Sequence, residues 1–413
     1  MKSMIHIFTG FFVAVNLLHA QDPKLVDETF LSALRTEAAR NHPAARSAEL
    51  RSAAAASDVQ GVRLWDDPTV GLSLSIARES MRADDGDIFL SYEQPIPKAG
   101  MFAANLSKAE AMRRAELESS RMSSLEVSAA AAKDAIELAL ADESISLQSA
   151  QLQWLGSMTE NAREMALNPD ATSVDALRLE SELARENEIL AAARRTRESL
   201  AQSLNLRLGR SLENSWPILT LNRDPAPVPI AASEIARIQR ANPKVRSMRE
   251  MAVAANGDTR IAEIEKKPQF SIAVDSALYS GGDARALNVG LKMSLPYFNR
   301  TSYDAKIQAS QLREKAAVKD VETIRLEIAS EVLAAVNEVA NAAAQAHAYS
   351  GEIYQRADAA TRSVEASWIS SKSPLTDLLE SNRMLFSIKL EQRRFVALQL
   401  AALENLNLLV PRK

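Results

Sequence analysis

Apolar and polar positions along this chain follow two different periods, and the two periods recur in a fixed order. Val70, Leu72, Leu74 and Ile76 alternate with Gly71, Ser73 and Ser75, and Ile88, Leu90 and Tyr92 resume the alternation after a polar tip containing Asp84-Asp85-Gly86. Later, Phe270, Ile272 and Val274 alternate with Ser271, Ala273 and Asp275. After Ser280-Gly281-Gly282-Asp283, the residues Leu287, Val289, Leu291, Met293 and Leu295 alternate with Asn288, Gly290, Lys292 and Ser294. A period of two gives a strand one apolar and one polar face, so the pattern predicts two β-hairpins. Their length suits tilted membrane-crossing strands of about 9–11 residues.

The second period is helical. No Gly or Pro interrupts Met101 to Leu155 or Thr301 to Ser350. Met122, Leu125, Ala129, Ala132, Ile136 and Ala139 keep a three-four spacing, as do Val321, Ile324, Ile328, Ala335, Val339 and Ala342 with one gap. Each set draws an apolar seam along one helix face, with alanines allowing close approach. A helix from Pro97 to Asn168 would be about 100 Å long at a rise of roughly 1.5 Å per residue, so it needs a partner along its whole side. Turns at Asn168-Pro169-Asp170 and at Ser370 to Pro374 supply partners, returning as helices over Ser173–Leu208 and Leu375–Leu409. A further helix precedes each hairpin, roughly Pro43 to Trp65 and Ala231 to Glu265.

The two sets are one unit written twice at an offset of about 200. Arg46-Ser47 meets Arg246-Ser247, Ala54-Ala55 meets Ala254-Ala255, Asp58 meets Asp258, Pro68 meets Pro268, and Leu179-Glu180-Ser181 meets Leu379-Glu380-Ser381. The expected organisation is a signal peptide over 1–20, a first repeat over 21–215, a linker over 216–230 and a second repeat over 231–413. Trp216-Pro217 and Pro225-Ala226-Pro227-Val228-Pro229 make the linker stiff and unsuited to helix or central strand.

Composition narrows the class. Aromatics are only 5% of 413 residues against 46% hydrophobic, and abundant alanine favours long packed helices over a bulky core. The formal charge of −4 is spread along the chain and marks no nucleic-acid surface. With no cysteine, disulfides, thiolate metal sites and a lipid-modified N-terminal Cys are excluded. Lys2, the interrupted apolar stretch Ile5 to Leu18 and the small Ala20 have the parts of a secretory signal. Beyond it no apolar run reaches the length of a membrane-spanning helix, so a membrane location would require a β-barrel. The fold class expected is mainly α with a small β part. Four strands leave open edges that hydrocarbon does not tolerate, and a membrane barrel takes about eight strands or more. Membrane insertion therefore implies at least two chains, with helices continuing the barrel as a tube.

Asn41-His42-Pro43, Ser91-Tyr92-Glu93-Gln94-Pro95-Ile96-Pro97, Ala241-Asn242-Pro243 and Ser373-Pro374-Leu375-Thr376-Asp377-Leu378-Leu379-Glu380, in this order, resemble the outer-membrane efflux protein (TolC) family, in particular its heavy-metal-efflux (CzcC-like) branch. The resemblance implies a trimer sharing a barrel of about twelve strands above a periplasmic helical tunnel. It also implies a periplasmic adaptor and an inner-membrane pump as partners, and no cofactor. At the inner tip the family closes its tunnel with acidic residues. The matching positions are Asp377 and Glu380, with Asp175 as the analogue in the first half. A carboxylate ring at a narrow mouth attracts cations and can hold the opening shut, whereas the bland role is to complement a helix dipole. The family often has a Gly in the second tip turn; Ser371 sits near that place.

Other candidates read as structural. His42 precedes a Pro at the start of a helix, which suits a cap better than a metal ligand. Arg194-Arg195-Thr196-Arg197 reads as a solvated helix face, and Trp154, Trp368 and Met158 as packing near the hairpin ends. Tyr92, Tyr279 and Tyr297-Phe298 flank strands, where aromatics sit at bilayer interfaces. No nucleophile with a His partner, phosphate-binding loop or metal motif occurs, so nothing points to an enzyme. The alternative function is a soluble periplasmic coiled-coil scaffold or adaptor-like interaction protein. The four alternating segments discriminate, because a scaffold has no use for outward apolar strand faces.

Overall fold

A computed structural model describes residues 23–74, 88–167, 173–223, 232–278 and 284–410. The signal segment, Ile76, the Asp84-Asp85-Gly86 tip, Asn168-Pro169-Asp170, Pro225–Pro229, Tyr279 and Ser280–Asp283 lie outside the described residues. The elements run β1 (Lys24–Val26), α1 (Glu28–Asn41), α2 (Pro43–Gln60), β2 (Thr69–Leu74), β3 (Ile88–Ile96), α3 (Met101–Met165), α4 (Val174–Leu208) and β4 (Leu219–Leu221). They continue as α5 (Ala232–Ala241), α6 (Pro243–Glu265), β5 (Gln269–Leu278), β6 (Ala284–Ser294), α7 (Arg300–Ser350), α8 (Glu352–Ile369) and α9 (Leu375–Leu409).

Helix α3 has 65 residues and spans about 98 Å at 1.5 Å per residue. Its predicted seam is buried at Ala129, Ala132, Ile136 and Ala139, but so are Val127, Ala131, Ala135 and Leu138 on its other faces. The reason is position: α3 packs against α1, α2, α4, α6 and α9, so its alanines serve several neighbours rather than one. Helix α7 packs mainly against α6, α8 and α9. Its second-half counterpart to α3 is broken at Gly351, whose dihedrals (φ −95°, ψ −118°) end α7 and begin α8.

The four strands form one antiparallel sheet in the order β2-β3-β5-β6. Each is continuous with a helix: α2 leads into β2, β3 into α3, α6 into β5, and β6 into α7 through a short 3-10 turn at Pro296–Asn299. Those helices pack in the same order, α2 on α3, α3 on α6 and α6 on α7. The sheet and the helical layer are thus a single curtain whose columns change from strand to helix. Polar stitches hold the helical part: Lys108 to Asp258 (2.6 Å), Arg114 to Glu250 (2.7 Å), the Ser247 hydroxyl to the Ala115 carbonyl (3.0 Å) and Asn256 to Glu314 (2.7 Å). Lys98, after β3, donates to the Glu265 carbonyl at the end of α6 (2.8 Å), a cation placed against a helix C-terminus; burial holds its pKa below the usual lysine value.

The span read as a linker contains order. Leu219–Leu221 pair in parallel with Lys24–Val26, and Trp216, Leu219 and Leu221 are buried in the core with Phe30, Leu34, Leu138 and Leu208. A three-residue strand without alternation long enough to count left no periodic signal. Its backbone is taken up by buried acids on α3: Asp142 accepts from the Leu219 N–H (2.9 Å) and Glu143 from the Leu221 N–H (2.9 Å). Arg197 neutralises Asp142 (2.8 Å) and also donates to the Trp216 and Pro217 carbonyls (3.2 Å each), while Arg393 pairs with Glu143 (2.5 Å). Arg194 and Arg195 face solvent as expected; Arg197 does not.

Candidate functional site

The pairing register sorts every described sheet residue onto one of two faces. Across the strands, Leu72, Leu90, Ser276 and Leu287 share one row, Val70, Tyr92, Val274 and Val289 the next, and Gln94, Ile272 and Leu291 a third. Over 69–74, 88–96, 269–278 and 286–294, this face carries no charged residue. Its side chains have nothing to bury against: Val70 and Val289 are each 72% exposed and Leu287 69%. Leaving such an apolar band in water is costly at about 25 cal/mol per Å², and the band is continuous across all four strands. The strands of 9 to 11 residues (β3, β5 and β6), tilted at about 45°, rise about 24 Å, which matches the roughly 25 Å apolar band of membrane barrels.

The opposite face is polar and small. Gly71, Ser91, Asp275 and Asn288 share one row, and Thr69, Glu93, Ala273 and Gly290 the next. Glu93 accepts from Lys292 (2.7 Å) and from the Ser271 hydroxyl (2.6 Å). A Cβ on Gly71 would lie 2.4 Å from the Ser91 hydroxyl, which would have to turn aside. Below the strands, Leu295, Tyr297 and Phe298 stand exposed, Phe298 at 90%, where aromatics suit a bilayer interface. Tyr92, expected to flank a strand, lies inside β3 on the apolar face. The outer edges of β2 and β6 have no partner among the described residues.

At the far end of the molecule, the ends of both helical hairpins share one apolar cluster. Leu155, Met158 and Ala162 of α3, Ala176 and Leu179 of α4, Trp368 of α8, and Leu375 and Leu378 of α9 build it. Asp175 stands in the first turn of α4 and Asp377 in that of α9, so the structure brings all three predicted acids to one tip. Asp377 and Glu380 are exposed and Asp175 is half-buried; among the described residues none has an ion-pair partner. Nearby, Arg383 of α9 reaches Glu182 of α4 (2.6 Å) and joins the two hairpins. Ser371 takes the left-handed conformation (φ 59°), so the turn keeps a glycine-like backbone at a cost of about 1 kcal/mol. His42 is the N-cap of α2, its Nδ1 accepting from the Ala44 N–H (3.1 Å).

Unlike the tip acids, Glu93 and Lys292 were not expected from the sequence as a pair. The signal was present: both lie on the polar parity of strands whose other parity is uncharged.

Solved structures share this architecture over nearly the whole chain. The outer membrane protein VceC of Vibrio cholerae superposes with a TM-score of 0.77 at 16% identity, covering 92% of this chain and 95% of that one. The structure described for CusC, reported for conformational changes accompanying folding and transmembrane channel formation, gives 0.79 at 14% identity, with 92% of each chain covered. The outer membrane channel MtrE of Neisseria gonorrhoeae, in its open state, gives 0.72 at 17% identity, covering 92% of this chain and 88% of that one. The chain has the fold of outer-membrane channels. No protein-family model matches the sequence, and no curated protein is a significant match to it. The shared fold joins a sheet with one uncharged face and one polar face to a helical layer. It is mainly α with one small sheet, the class expected.

Proposed function

We propose that this chain is an exported subunit of an outer-membrane efflux channel of the TolC family. Residues 1–20 direct export, and copies of the chain close their sheets edge to edge into one barrel. The chain is a passive conduit, without chemistry of its own, for substrates delivered by an inner-membrane pump through a periplasmic adaptor. The observation that carries this reading is the curtain itself: an uncharged apolar sheet face with two open edges, each strand continuing into a long helix in the same lateral order. Four strands cannot close, and lipid admits no open edge; three copies would supply a barrel of about twelve strands.

The helical edges support the same assembly. Leu50 on α2 and Leu177 and Leu206 on α4 are exposed at one side, and Leu312, Leu326 and Leu333 on α7 at the other. Two different apolar edges suit a head-to-tail contact that closes as a ring. Against a soluble scaffold stands the sheet, which would leave its apolar face in water. Fractionation tests the reading: the protein is expected in the outer membrane as a detergent-extracted oligomer, and recovery as a detergent-independent soluble monomer would sink it.

Asp377 and Glu380, with Asp175 beside them, are proposed to line the tip aperture of the assembled tunnel. The double variant Asp377→Ala/Glu380→Ala is expected to raise single-channel conductance in planar bilayers. Unchanged conductance and ion selectivity would reduce these residues to helix-end carboxylates.

A further inference from the structure

Resting on the channel reading, we infer that the barrel interior carries its own charge filter, in which Asp275 sets a preference for small hydrated cations and Lys292 limits it. The two sheet faces differ completely in charge. Over 69–74, 88–96, 269–278 and 286–294 one has none, and the other carries Glu93, Asp275 and Lys292. These three occupy successive rows, about 7 Å apart at two residues per row. Lys292 is spent on Glu93, which also takes the Ser271 hydroxyl. That pair is closed and electrically neutral. Asp275, one row further from the helices, makes no side-chain hydrogen bond among the described residues, although it lies within the electrostatic reach of Lys292. Over 69–74, 88–96, 269–278 and 286–294, each chain therefore adds one net negative charge to the barrel interior.

The surroundings leave that charge reachable. Asp275 shares its row with Gly71, Ser91 and Asn288, and the next row holds Ala273 and Gly290. A Cβ on Gly290 would meet nothing within 4 Å, so open space begins at the backbone. Repeated around a closed barrel, Asp275 makes a carboxylate ring in a wall of small residues. Rings of Asp or Glu bias a pore toward cations, and low-dielectric walls strengthen the bias.

The test is the reversal potential of the purified full chain in planar bilayers under a KCl gradient. The native channel is expected to favour K⁺ over Cl⁻. Asp275→Asn, which keeps shape and breaks no hydrogen bond among the described residues, should lower the permeability ratio, to about 1 once the tip acids are also removed. Lys292→Gln should raise the cation preference above native, and Asp275→Asn with Glu93→Gln should reverse it toward anions once the tip acids are also removed. Because the tip acids also bear on selectivity, each variant is measured again in the Asp377→Ala/Glu380→Ala background. Conductance steps with one unchanged reversal potential across all barrel variants, in both backgrounds, would overturn the inference. Absence of any conductance from the native chain would instead overturn the channel reading beneath it.

Discussion

The two halves of the chain build the same joint in different ways. In the second half, Asn242 alone serves it: its Oδ1 accepts from the Lys244 N–H to cap α6 (2.9 Å), and its Nδ2 donates to the Leu409 carbonyl at the end of α9 (3.2 Å). In the first half the two tasks fall on neighbours, His42 capping α2 while the Asn41 Nδ2 donates to the Leu208 carbonyl at the end of α4 (3.2 Å). Counting back from those two carbonyls sets Asn205 level with Leu406, while on the preceding helices Ala38 is level with Ile238, each accepting from the N–H of the cap residue (2.9 Å). The first joint is therefore polar where the second is apolar. Asn205 receives the Trp216 indole N–H (2.8 Å) and donates to the Asn214 carbonyl (2.8 Å), whereas Leu406 packs with Ile238, Val245, Ile328 and Val332. A duplicated backbone thus tolerates two kinds of joint, provided each satisfies its own buried groups. The first must also fix the segment carrying Trp216 and β4, and directional bonds do that where apolar contact would not.

The largest effect should come from exchanging the two chemistries. Asn205→Leu strands the Trp216 indole N–H and the Asn214 carbonyl in the core, a loss of about 2–3 kcal/mol. The reciprocal Leu406→Asn places an unpartnered amide among Ile238, Val245 and Ile328, with at least a similar loss. Thermal loss of helical circular dichroism measures both. If Asn205→Leu melts with the native protein, the polar joint is not what fixes the Trp216 segment.

A smaller effect separates one residue with two tasks from two residues with one each. Asn242→Ala removes a cap and a buried bond together and is expected to cost about 2 kcal/mol. His42→Ala and Asn41→Ala should each cost about 1 kcal/mol or less, and their losses should sum to that of Asn242→Ala. Equal single losses at all three positions would mean that the division of labour is geometric only.

This contrast also marks what could be read from the residues. The period-two runs and the long Gly- and Pro-free stretches are repetitive signals, so the strands, the hairpins and the joining order were legible. Asn41-His42-Pro43 and Ala241-Asn242-Pro243 advertised their caps because Pro at the first helical position is a local rule. The β1–β4 pairing was not legible, since β1 lies at the far end of the repeat and the Leu219 and Leu221 N–H groups go to Asp142 and Glu143, 77 and 78 residues away in sequence. Arg197 failed for the same reason: its burial depends on a segment that no spacing announces. The break at Gly351 falls just past the Gly- and Pro-free run Thr301 to Ser350, and α3 passes through Gly156 without one, so glycine alone does not decide where a helix breaks. At the tip, position was legible and role was not, because a first-turn acid satisfies a helix dipole and a pore mouth equally well.

The smallest predicted effect is a pH dependence that one joint has and the other lacks. Glu37 takes two bonds from Arg210 (2.6 Å each), and Arg210 also lies over the Trp216 ring, 4.8 Å from its centroid. The hydrogen bonds from Arg210 hold the Glu37 carboxyl below its ordinary value of 4.5, against the opposing effect of burial. A carboxylate whose pKa is lowered on folding stabilises the protein fully above that ordinary value. The contribution fades as pH falls through the lower, folded value. With both side chains about a third exposed, its size is about 1 kcal/mol at most. Glu37→Gln should therefore lie below the native protein in melting temperature at neutral pH, and the gap should close as the pH drops below 4.5. Ile238, buried in the apolar second joint, titrates nothing, so Ile238→Val should shift stability by the same amount at every pH. A Glu37→Gln gap that persists unchanged in acid would assign the first joint's strength to packing around Trp216 rather than to the ion pair.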